Sequence, residues 1–296
     1  MNVQYHSQVS DVDNANGFQQ FNNVDWTVQI QGRKLLRNSV RVTGEVIMDR
    51  SSGAGELLSG TKIQLNSKVG HHSYFDSWSC TSRDGVLEIL DSYPRYINML
   101  TSSTHSSNDF FTALANAEGK SYVSRIGQVN LQPTASANST DKDQFLTSPT
   151  FSIQPKILFN QMSNGDWSFD QLGFIKISTN LSRNGHALNG DDMVNDTTYK
   201  IKNLRLEYMT VPEDGVKAKI LCKSYVLVKS VVNSTVHNLS ARVSAVASNG
   251  VVVSYLEQSK ENSLIEDTLE LDVLPQTDSI SYLFNSSQQK YLTYSL

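Results

Sequence analysis

The sequence predicts an all-β protein of the sandwich or jelly-roll type, with small helical insertions. Short runs of alternating apolar and polar residues recur along most of the 296 residues, and turn residues separate them. The chain shows no regular alternation of strands with helices, which disfavours a parallel α/β fold. This length is sufficient for one large β domain or two medium ones, each with a real core.

The first half of the chain contains five predicted strands, at residues 26–30, 40–48, 62–65, 73–81 and 86–90. Turn residues at 53–55 and 83–85 separate some of them. Residues 1–24 are polar and show no sustained period of 2 or 3.6. We therefore interpret 1–24 as an extended arm rather than a folded element.

Two stretches break the β pattern and predict helices. Residues 93–100 carry Pro94 near their start and several apolar side chains, which favours a short helix. Residues 106–118 begin with serines suited to capping, have apolar residues at helical spacing and end before Gly119. The polar segment 131–149 is too long for a simple hairpin connection.

Strands are predicted to resume at residues 151–159, 172–180 and 199–210, the last with a one-residue slip before Leu204. The segment 211–215 (VPEDG) is the strongest turn signal and the predicted domain boundary. Beyond it, six more strands are predicted, at 216–232, 236–246, 251–256, 269–274, 280–284 and 291–294.

The composition argues against several classes of function. The net charge is −4 and no basic run is longer than Arg33-Lys34, so direct binding of nucleic acid is not expected. No apolar stretch is long enough to span a membrane, and the N-terminus has no features of a secretion signal. Charged residues are only 18%, which fits either surfaces covered by neighbouring subunits or a compositional bias of the genome.

Residue patterns associated with catalysis or metal binding are weak. His71 and His72 are adjacent, and adjacent strand residues point to opposite faces, so we expect them, with Asp76, to form a structural turn rather than a metal site. The acidic segment 11–17 fails the spacing of a calcium loop, and 189–192 is an oxygen-rich turn that could hold calcium at a subunit contact. The sequence therefore assigns no catalytic, cofactor-binding or metal-binding residue.

Cysteines and tryptophans supply further expectations. Cys80 and Cys222 are interpreted as buried thiols rather than a disulfide framework. Trp26 and Trp78 lie within alternating runs and are expected in the core. Trp167 follows the turn residues 164–166 and is expected at a surface, where it could contact a subunit or stack on a sugar.

The order of several motifs along the chain resembles that of a known family. The segment 69–76 (VGHHSYFD) precedes a strand, a turn and 87–96 (LEILDSYPRY); then come 151–156, 173–177, 199–206 and the connector 211–215. Together they resemble the double jelly-roll major capsid proteins of tailless, adenovirus-like viruses, with penton-type jelly-roll proteins as the close variant.

This resemblance implies an extended N-terminal arm at 1–24, a first jelly-roll domain at 25–212 and a second β domain at 213–296. Only about 80 residues follow Gly215, so the second domain is expected to be a partial or minimal jelly roll. The resemblance further implies a non-enzymatic coat protein, made in the host cytoplasm and located in the virion. It would build an icosahedral shell from trimeric, pseudo-hexameric capsomers, or from pentamers if it is a vertex protein.

The expected partners are copies of the chain and other capsid proteins, with an internal membrane as a further candidate; no cofactor is expected. Two alternatives remain open at this stage. One is a carbohydrate- or receptor-binding β-sandwich of a virion, such as a penton, spike or lectin-like protein. The other is a β-sandwich hydrolase, which would need converging carboxylate or Ser/His groups.

Overall fold

A computed structural model describes residues 2–12, 14–50, 63–66, 68–104, 118–119, 150–161, 164–190, 197–216, 224–225, 227, 280–284 and 290–294. In this part of the chain most regular structure is β-strand, and two sheets make up its body, antiparallel except for one short parallel pair. The predicted all-β sandwich with small helical insertions is confirmed for the described residues.

The described strands are β1 (Gln4–Val9), β2 (Asn23–Val28), β3 (Arg33–Leu35), β4 (Arg41–Arg50), β5 (Ile63–Gln64), β6 (Phe75–Ser82), β7 (Gly85–Leu90), β8 (Thr150–Ile153), β9 (Trp167–Ser168), β10 (Ile175–Leu181), β11 (Asn189–Gly190), β12 (Thr197–Pro212), β13 (Ser224–Tyr225), β14 (Ile280–Phe284) and β15 (Lys290–Tyr294). Sheet 1 has the order β8-β4-β12-β3-β9, with β1 also paired to β12. Sheet 2 has the order β13-β7-β6-β10-β2. Two separate pairs, β5 with β11 and β14 with β15, complete the described strands.

Helical structure is limited to short elements. Helix α1 (Tyr93–Thr104) confirms the helix predicted at 93–100. Two four-residue helices lie at Phe169–Leu172 and Asn184–Ala187. Single 3₁₀ turns lie at Gly70–Tyr74 and Leu158–Asn160. No helix among the described residues is both long and apolar enough to cross a bilayer.

Strand β12 shows how the sequence determines the register. Tyr199, Ile201, Leu204 and Leu206 are buried, so the inward-facing positions change parity between Ile201 and Leu204. The pairing of β12 with β4 shifts between Lys202 and Arg205, and Asn203 has a φ of 53° there. Asn tolerates the left-handed conformation that such an irregularity requires. The slip predicted before Leu204 is thus confirmed as a bulge.

The two sheets enclose one hydrophobic core rich in aromatic side chains. Trp26 of β2 and Trp78 of β6 stack with their ring centroids 6.4 Å apart, and both are buried as predicted. Phe75 of sheet 2 meets Phe151 of sheet 1 edge-on at 6.2 Å, which joins the two sheets. Cys80 lies in this core as a buried thiol, as expected.

The structure corrects the prediction made for Trp167. Trp167 is not at the surface: it is only 1% exposed and packs edge-on against Phe159 at 4.8 Å. The turn before Trp167 is real, but the 3₁₀ turn at Leu158–Asn160 places Phe159 against the indole. The interpretation of 1–24 also needs correction in one part, because Gln4–Val9 forms strand β1 and pairs with β12.

Several predictions lie mostly outside the described residues. These are the helix at 106–118, of which only residue 118 is described, the loop 131–149, Cys222, the oxygen-rich residues 191–192 and the strands at 236–246, 251–256 and 269–274. The predicted strands at 280–284 and 291–294 correspond to β14 and β15, which form an antiparallel pair. The domain boundaries at 24 and 212 remain predictions.

Candidate interaction surface

The outer face of sheet 1 exposes large apolar side chains where β1 pairs with β12. Tyr5 lies directly opposite Met209, and they are 58% and 39% exposed. Because neighbouring residues of a strand point to opposite faces, His6 turns inward from this pair. It stacks on Tyr208 at 5.0 Å and places Nε2 2.9 Å from Thr210 Oγ1. The inner face of β1 thus anchors the strand and leaves its outer face free of core packing.

Tyr5 and Met209 border a surface hollow of about 310 Å³. Its other walls are residues of the 36–39 turn and two outer-face charges, namely Leu36, Arg37, Asn38, Ser39, Arg41 and Glu207. We call this set the tyrosine hollow. Partial desolvation, with the hydrogen bond and negative charge of Glu207, raises the pKa of Tyr5, so its phenol is neutral at physiological pH.

Two arginines in the tyrosine hollow are held in place by neighbouring groups. Arg41 Nη1 donates to Ser152 Oγ at 3.0 Å, and Arg37 Nη1 lies 3.4 Å from the carbonyl oxygen of Asn164. Each guanidinium still has further N–H donors, because it carries five in all. The hollow therefore combines an apolar floor with cationic donors that are already partly ordered.

A second hollow lies at the other end of the same sheet face and has a volume of about 430 Å³. We call it the lysine hollow; it is lined by Ala15, Asn16, Gln19, Ile47, Lys200 and Lys202. Backbone hydrogen bonds in both directions between Phe18 and Ile201 hold the loop that forms one wall. Both hollows are thus rigidly attached to β12.

Phe21 is the most exposed large apolar residue among those the structure describes, at 72%. Its φ of 65° is in the left-handed region, which costs a residue with a Cβ on the order of 1 kcal/mol. Backbone bonds fix this conformation, because Phe21 N donates to Leu181 O at 2.9 Å and Leu181 N donates to Asn22 O at 2.9 Å. The protein therefore presents an aromatic ring to solvent on a rigid, strained turn.

Sheet 2 also carries apolar groups on its outside. Val86 and Ile89 of β7 are exposed, whereas Glu88 between them is buried. The Glu88 carboxylate accepts a hydrogen bond from Leu158 N at 2.7 Å, so this inward charge is engaged. Exposed apolar residues therefore lie on the outer sides of both sheets.

A buried polar network lies at the 3₁₀ turn Gly70–Tyr74. His72 Nε2 is 3.2 Å from Glu118 Oε2, and His72 Nδ1 is 3.0 Å from the hydroxyl of Tyr93. The same hydroxyl accepts a hydrogen bond from Lys156 N at 2.8 Å, and Glu118 Oε1 accepts from Gln154 N at 3.4 Å. Burial raises the pKa of Tyr93 well above its usual value. These groups bond to one another and to backbone, and solvent does not reach them.

Close backbone contacts hold residues 118–119 against this turn. A Cβ on Gly70 would lie 2.0 Å from the carbonyl oxygen of Glu118, and one on Gly119 would lie 2.8 Å from the His71 ring. Both glycines have positive φ, at 59° and 66°. Burial and the nearby His72 lower the pKa of His71 to about 3, so His71 is neutral in the folded protein.

Lys34 anchors the segment that follows β12. Its ammonium donates to Asp214 and to Val216 O at 2.8 Å, and lies 3.5 Å from Glu213 Oε1. Glu213 also accepts a hydrogen bond from Ser168. Despite its partial desolvation, the two carboxylates raise the pKa of Lys34. The connector at 213–216 therefore leaves the sandwich in a fixed direction.

The candidate metal residues do not converge. Asp76 Oδ1 lies 4.0 Å from His186 Nδ1, whereas His71 and His72 are buried. The Asp11 carboxylate accepts from Thr27 N at 3.0 Å and Thr27 Oγ1 at 2.6 Å, which caps the edge of β2. Over the described ranges, no three His, Cys, Asp or Glu side chains are grouped to bind a metal.

Sequence analysis did not identify the residues that form this surface. Tyr5 and Phe21 fell within the predicted arm, because a single isolated strand pattern at 4–9 was too short to stand out. The pairing of Tyr5 with Met209 joins distant parts of the chain. The positive φ of Phe21 has no sequence signal, since Phe is not a residue that favours that conformation.

Comparison with known proteins gives structural likeness only. No protein-family model matches the chain. No curated protein matches it either. Among solved structures, a chain of the Sputnik virophage matches with a TM-score of 0.45 and 12% identity over 73% of this chain and 49% of that one. The PBCV-1 virus capsid matches with a TM-score of 0.40 and 11% identity, over 70% of this chain and 42% of that one.

The mavirus major capsid protein matches with a TM-score of 0.38 and 10% identity, over 71% of this chain and 46% of that one. The chain thus spans less than half the length of each of these three structures. Of these, the PBCV-1 structure is a virus capsid and the mavirus structure is a major capsid protein.

Proposed function

We propose that the chain is a structural coat subunit of a virus, which assembles with copies of itself through the outer faces of its β-sandwich. The observation that carries this proposal is the tyrosine hollow, where Tyr5 and Met209 are exposed beside Arg37 and Arg41. Tyr, Met and Arg are the residue types enriched in the buried centres of protein interfaces. The order of the sequence motifs at 69–96, 151–206 and 211–215 supports the same function.

The sandwich does not need these side chains for its own core. Tyr5 lies on the outer side of β1, while His6 and the buried residues of β12 hold the strand in place. An exposed apolar pair lowers the solubility of a protein unless a partner covers it. Copies that pack side by side would cover the outer faces and bury such pairs.

The finer features of the proposal come from the sequence resemblance. The subunit would form trimeric, pseudo-hexameric capsomers of an icosahedral shell, or pentamers at its vertices. Synthesis would take place in the host cytoplasm, and other capsid proteins would be further partners. The Lys34 contacts with Glu213 and Asp214 would fix how the second domain, 213–296, leaves the first.

A non-enzymatic role is part of the proposal. The groups best suited to acid–base chemistry, His72, Glu118 and Tyr93, are buried and bonded to one another and to backbone. A substrate could not reach them without unfolding of the 3₁₀ turn. The carbohydrate-binding alternative loses its candidate stacking residue, because Trp167 is in the core.

Light scattering coupled to size-exclusion chromatography, at increasing protein concentration, tests the proposal. A coat subunit is expected to give one discrete oligomer with the mass of three or five chains. A single monomeric mass at every concentration would overturn the proposed function. Mixing the monomeric fraction with glycans would then test the receptor-binding alternative.

A further inference from the structure

Two places on the described strands expose large apolar side chains to solvent, and they lie on different sheets. On sheet 1 they are Tyr5 and Met209 of the tyrosine hollow, with Val9 further along β1. On sheet 2 they are Val86 and Ile89 of β7, which are 62% and 42% exposed. Each group lies on the outer side of its sheet and is not used by the core of its own chain.

A bulge in β7 places Val86 and Ile89 on the same outer face, although they are three residues apart. The pairing with β6 shifts between Cys80 and Thr81, so that Thr81 pairs with Val86 and Ser79 pairs with Ile89. Ser79 and Thr81 are two residues apart in a strand and therefore point to the same side of the sheet. An extra residue in one strand changes the alternation in this way. The bulge thus gathers two apolar side chains outside the core.

Carboxylates lie at both ends of this apolar pair. Asp84 is in the turn before β7 and Asp91 directly follows β7, and both are exposed. Asp84 Oδ1 lies 3.3 Å from Arg83 Nε, an exposed ion pair of the kind that contributes little to stability. The carboxylate of Asp91 makes no ion pair within the described part of the chain. We call Asp84, Val86, Ile89 and Asp91 the β7 patch.

The tyrosine hollow carries charges of the opposite sign. The guanidiniums of Arg37 and Arg41 bond to a carbonyl oxygen and a hydroxyl, and neither forms an ion pair with a carboxylate of the described residues. The Glu207 carboxylate in the hollow is already engaged, because it bonds to Tyr5 and accepts a hydrogen bond from Thr43 Oγ1 at 3.2 Å. Cationic donors therefore remain for a carboxylate that comes from outside the chain.

We propose that the β7 patch of one copy packs on the tyrosine hollow of the next copy. This contact rests on the proposed function, because it names the two surfaces through which coat subunits meet. The apolar pairs of the two surfaces cover each other, and Asp91 lies beside the guanidiniums of Arg37 and Arg41. Complementary charges at an interface select the partner surface and fix its register.

Charge also distinguishes this contact from a symmetric one. Two tyrosine hollows face to face would bring the Arg37 and Arg41 guanidiniums of both copies together, and two β7 patches would bring their carboxylates together. Like charges placed against one another suppress association. The contact between unlike surfaces avoids both arrangements. Such a heterologous contact relates successive members of a ring, as in a trimer or a pentamer.

Charge reversal tests the two surfaces separately and together. Arg41→Glu in the hollow and Asp91→Arg in the β7 patch are each expected to weaken self-association at least about tenfold, because each places like charges opposite one another. The double variant Arg41→Glu/Asp91→Arg exchanges the two charges across the contact and is expected to regain most of the association. Lys202→Glu reverses an exposed charge of β12 outside the tyrosine hollow and is expected to assemble as the wild type does.

A second pair of variants tests the apolar half of the contact. Val86→Ser combined with Ile89→Ser is expected to weaken self-association at least about tenfold. Val12→Ser is the matched control, because Val12 is an exposed apolar residue outside both surfaces. Sedimentation velocity of the full chain, at matched concentration and ionic strength, measures the association of every variant. Urea unfolding is expected to give wild-type stability for all of them, since the substituted side chains lie outside the core.

The outcomes distinguish this contact from the proposed function. Wild-type assembly that Asp91→Arg and the Val86→Ser/Ile89→Ser variant leave intact would overturn the contact and leave the coat function standing. A charge-exchanged double variant that associates no better than either single variant would also overturn it, because the two charges then do not face each other. If the wild-type protein is monomeric at every concentration, the proposed function itself fails.

Discussion

His72 Nε2 lies 3.2 Å from Glu118 Oε2, and both side chains are almost completely buried. This contact joins the 3₁₀ turn Gly70–Tyr74 to residues 118–119, which are distant in sequence. Removing one partner of a buried, bonded pair leaves the other in a nonpolar environment without compensation. The contact therefore supports a prediction about stability.

Glu118→Ala is expected to lower the free energy of unfolding by about 3–5 kcal/mol, because it removes the buried carboxylate that His72 Nε2 and Gln154 N contact. Glu118→Gln keeps an oxygen acceptor at the same place and is expected to cost clearly less. Urea unfolding of both variants provides the measurement. Equal stability of Glu118→Ala and the wild type would show that the contact contributes nothing.

His71 is expected to make the free energy of unfolding depend on pH. Its pKa is about 3 in the folded protein and near 6.5 when unfolded, so the unfolded state binds the extra proton between these values. Protonation of the unfolded state therefore lowers the free energy of unfolding as the pH falls from about 6.5 towards 3, by up to about 1.4 kcal/mol per pH unit. Unfolding by urea from pH 7 to pH 4.5 measures this slope.

His71→Met is the matched variant, because methionine is flexible, apolar and does not titrate. Its stability is expected to fall less steeply with acid than that of the wild type. His6, whose pKa is also lowered by burial, stays in both proteins and cancels in the comparison. Equal slopes of the unfolding free energy against pH in the wild type and His71→Met would contradict the lowered pKa of His71.

Trp167 is predicted to be essential for folding rather than for surface contacts. Trp167→Ala removes an indole that packs on Phe159, and is expected to cost about 3–5 kcal/mol of unfolding free energy. Tyr5→Ala is the exposed aromatic control, and a change within about 0.5 kcal/mol is expected for it. Chemical denaturation monitored by circular dichroism measures the unfolding free energy of Trp167→Ala and Tyr5→Ala. Similar unfolding free energies for the two variants would contradict the burial of Trp167.

The tyrosine hollow should govern self-association without affecting the fold. Tyr5→Ser combined with Met209→Ser removes both exposed apolar groups, and at least about tenfold weaker association is expected. Val216→Ser removes an exposed apolar group from the connector after β12 and serves as the control. Sedimentation at matched concentrations measures the effect; an unchanged oligomer in the double variant would exclude this hollow from the interface.

Much of the fold could be predicted from local patterns. The alternation in 199–210 gave β12, and even the slip before Leu204 appears as the bulge at Asn203. Helix α1 followed from Pro94 and the apolar spacing after it. Each of these features is determined by residues that are close together in the sequence, so a local pattern is enough to predict it.

The tyrosine hollow and the buried position of Trp167 depend on contacts between residues that are far apart in the sequence. No local sequence pattern predicts such contacts. Trp167 was misplaced because its burial depends on Phe159, which a 3₁₀ turn brings to it. The position of Tyr5 on the outer face of the sheet follows only from the pairing of β1 with β12, which places Tyr5 opposite Met209. The buried role of Glu118 required the close approach of residues 118–119 to the 3₁₀ turn Gly70–Tyr74, where Gly70 faces the Glu118 carbonyl oxygen and Gly119 faces the His71 ring.

Electron microscopy of the purified full chain tests the central claim most directly, namely that sandwich faces meet copies of themselves. The expected images show closed particles with three-fold or five-fold symmetry, in which Tyr5 and Met209 lie between subunits. Isolated single sandwiches at every concentration, with those two side chains open to solvent, would contradict it.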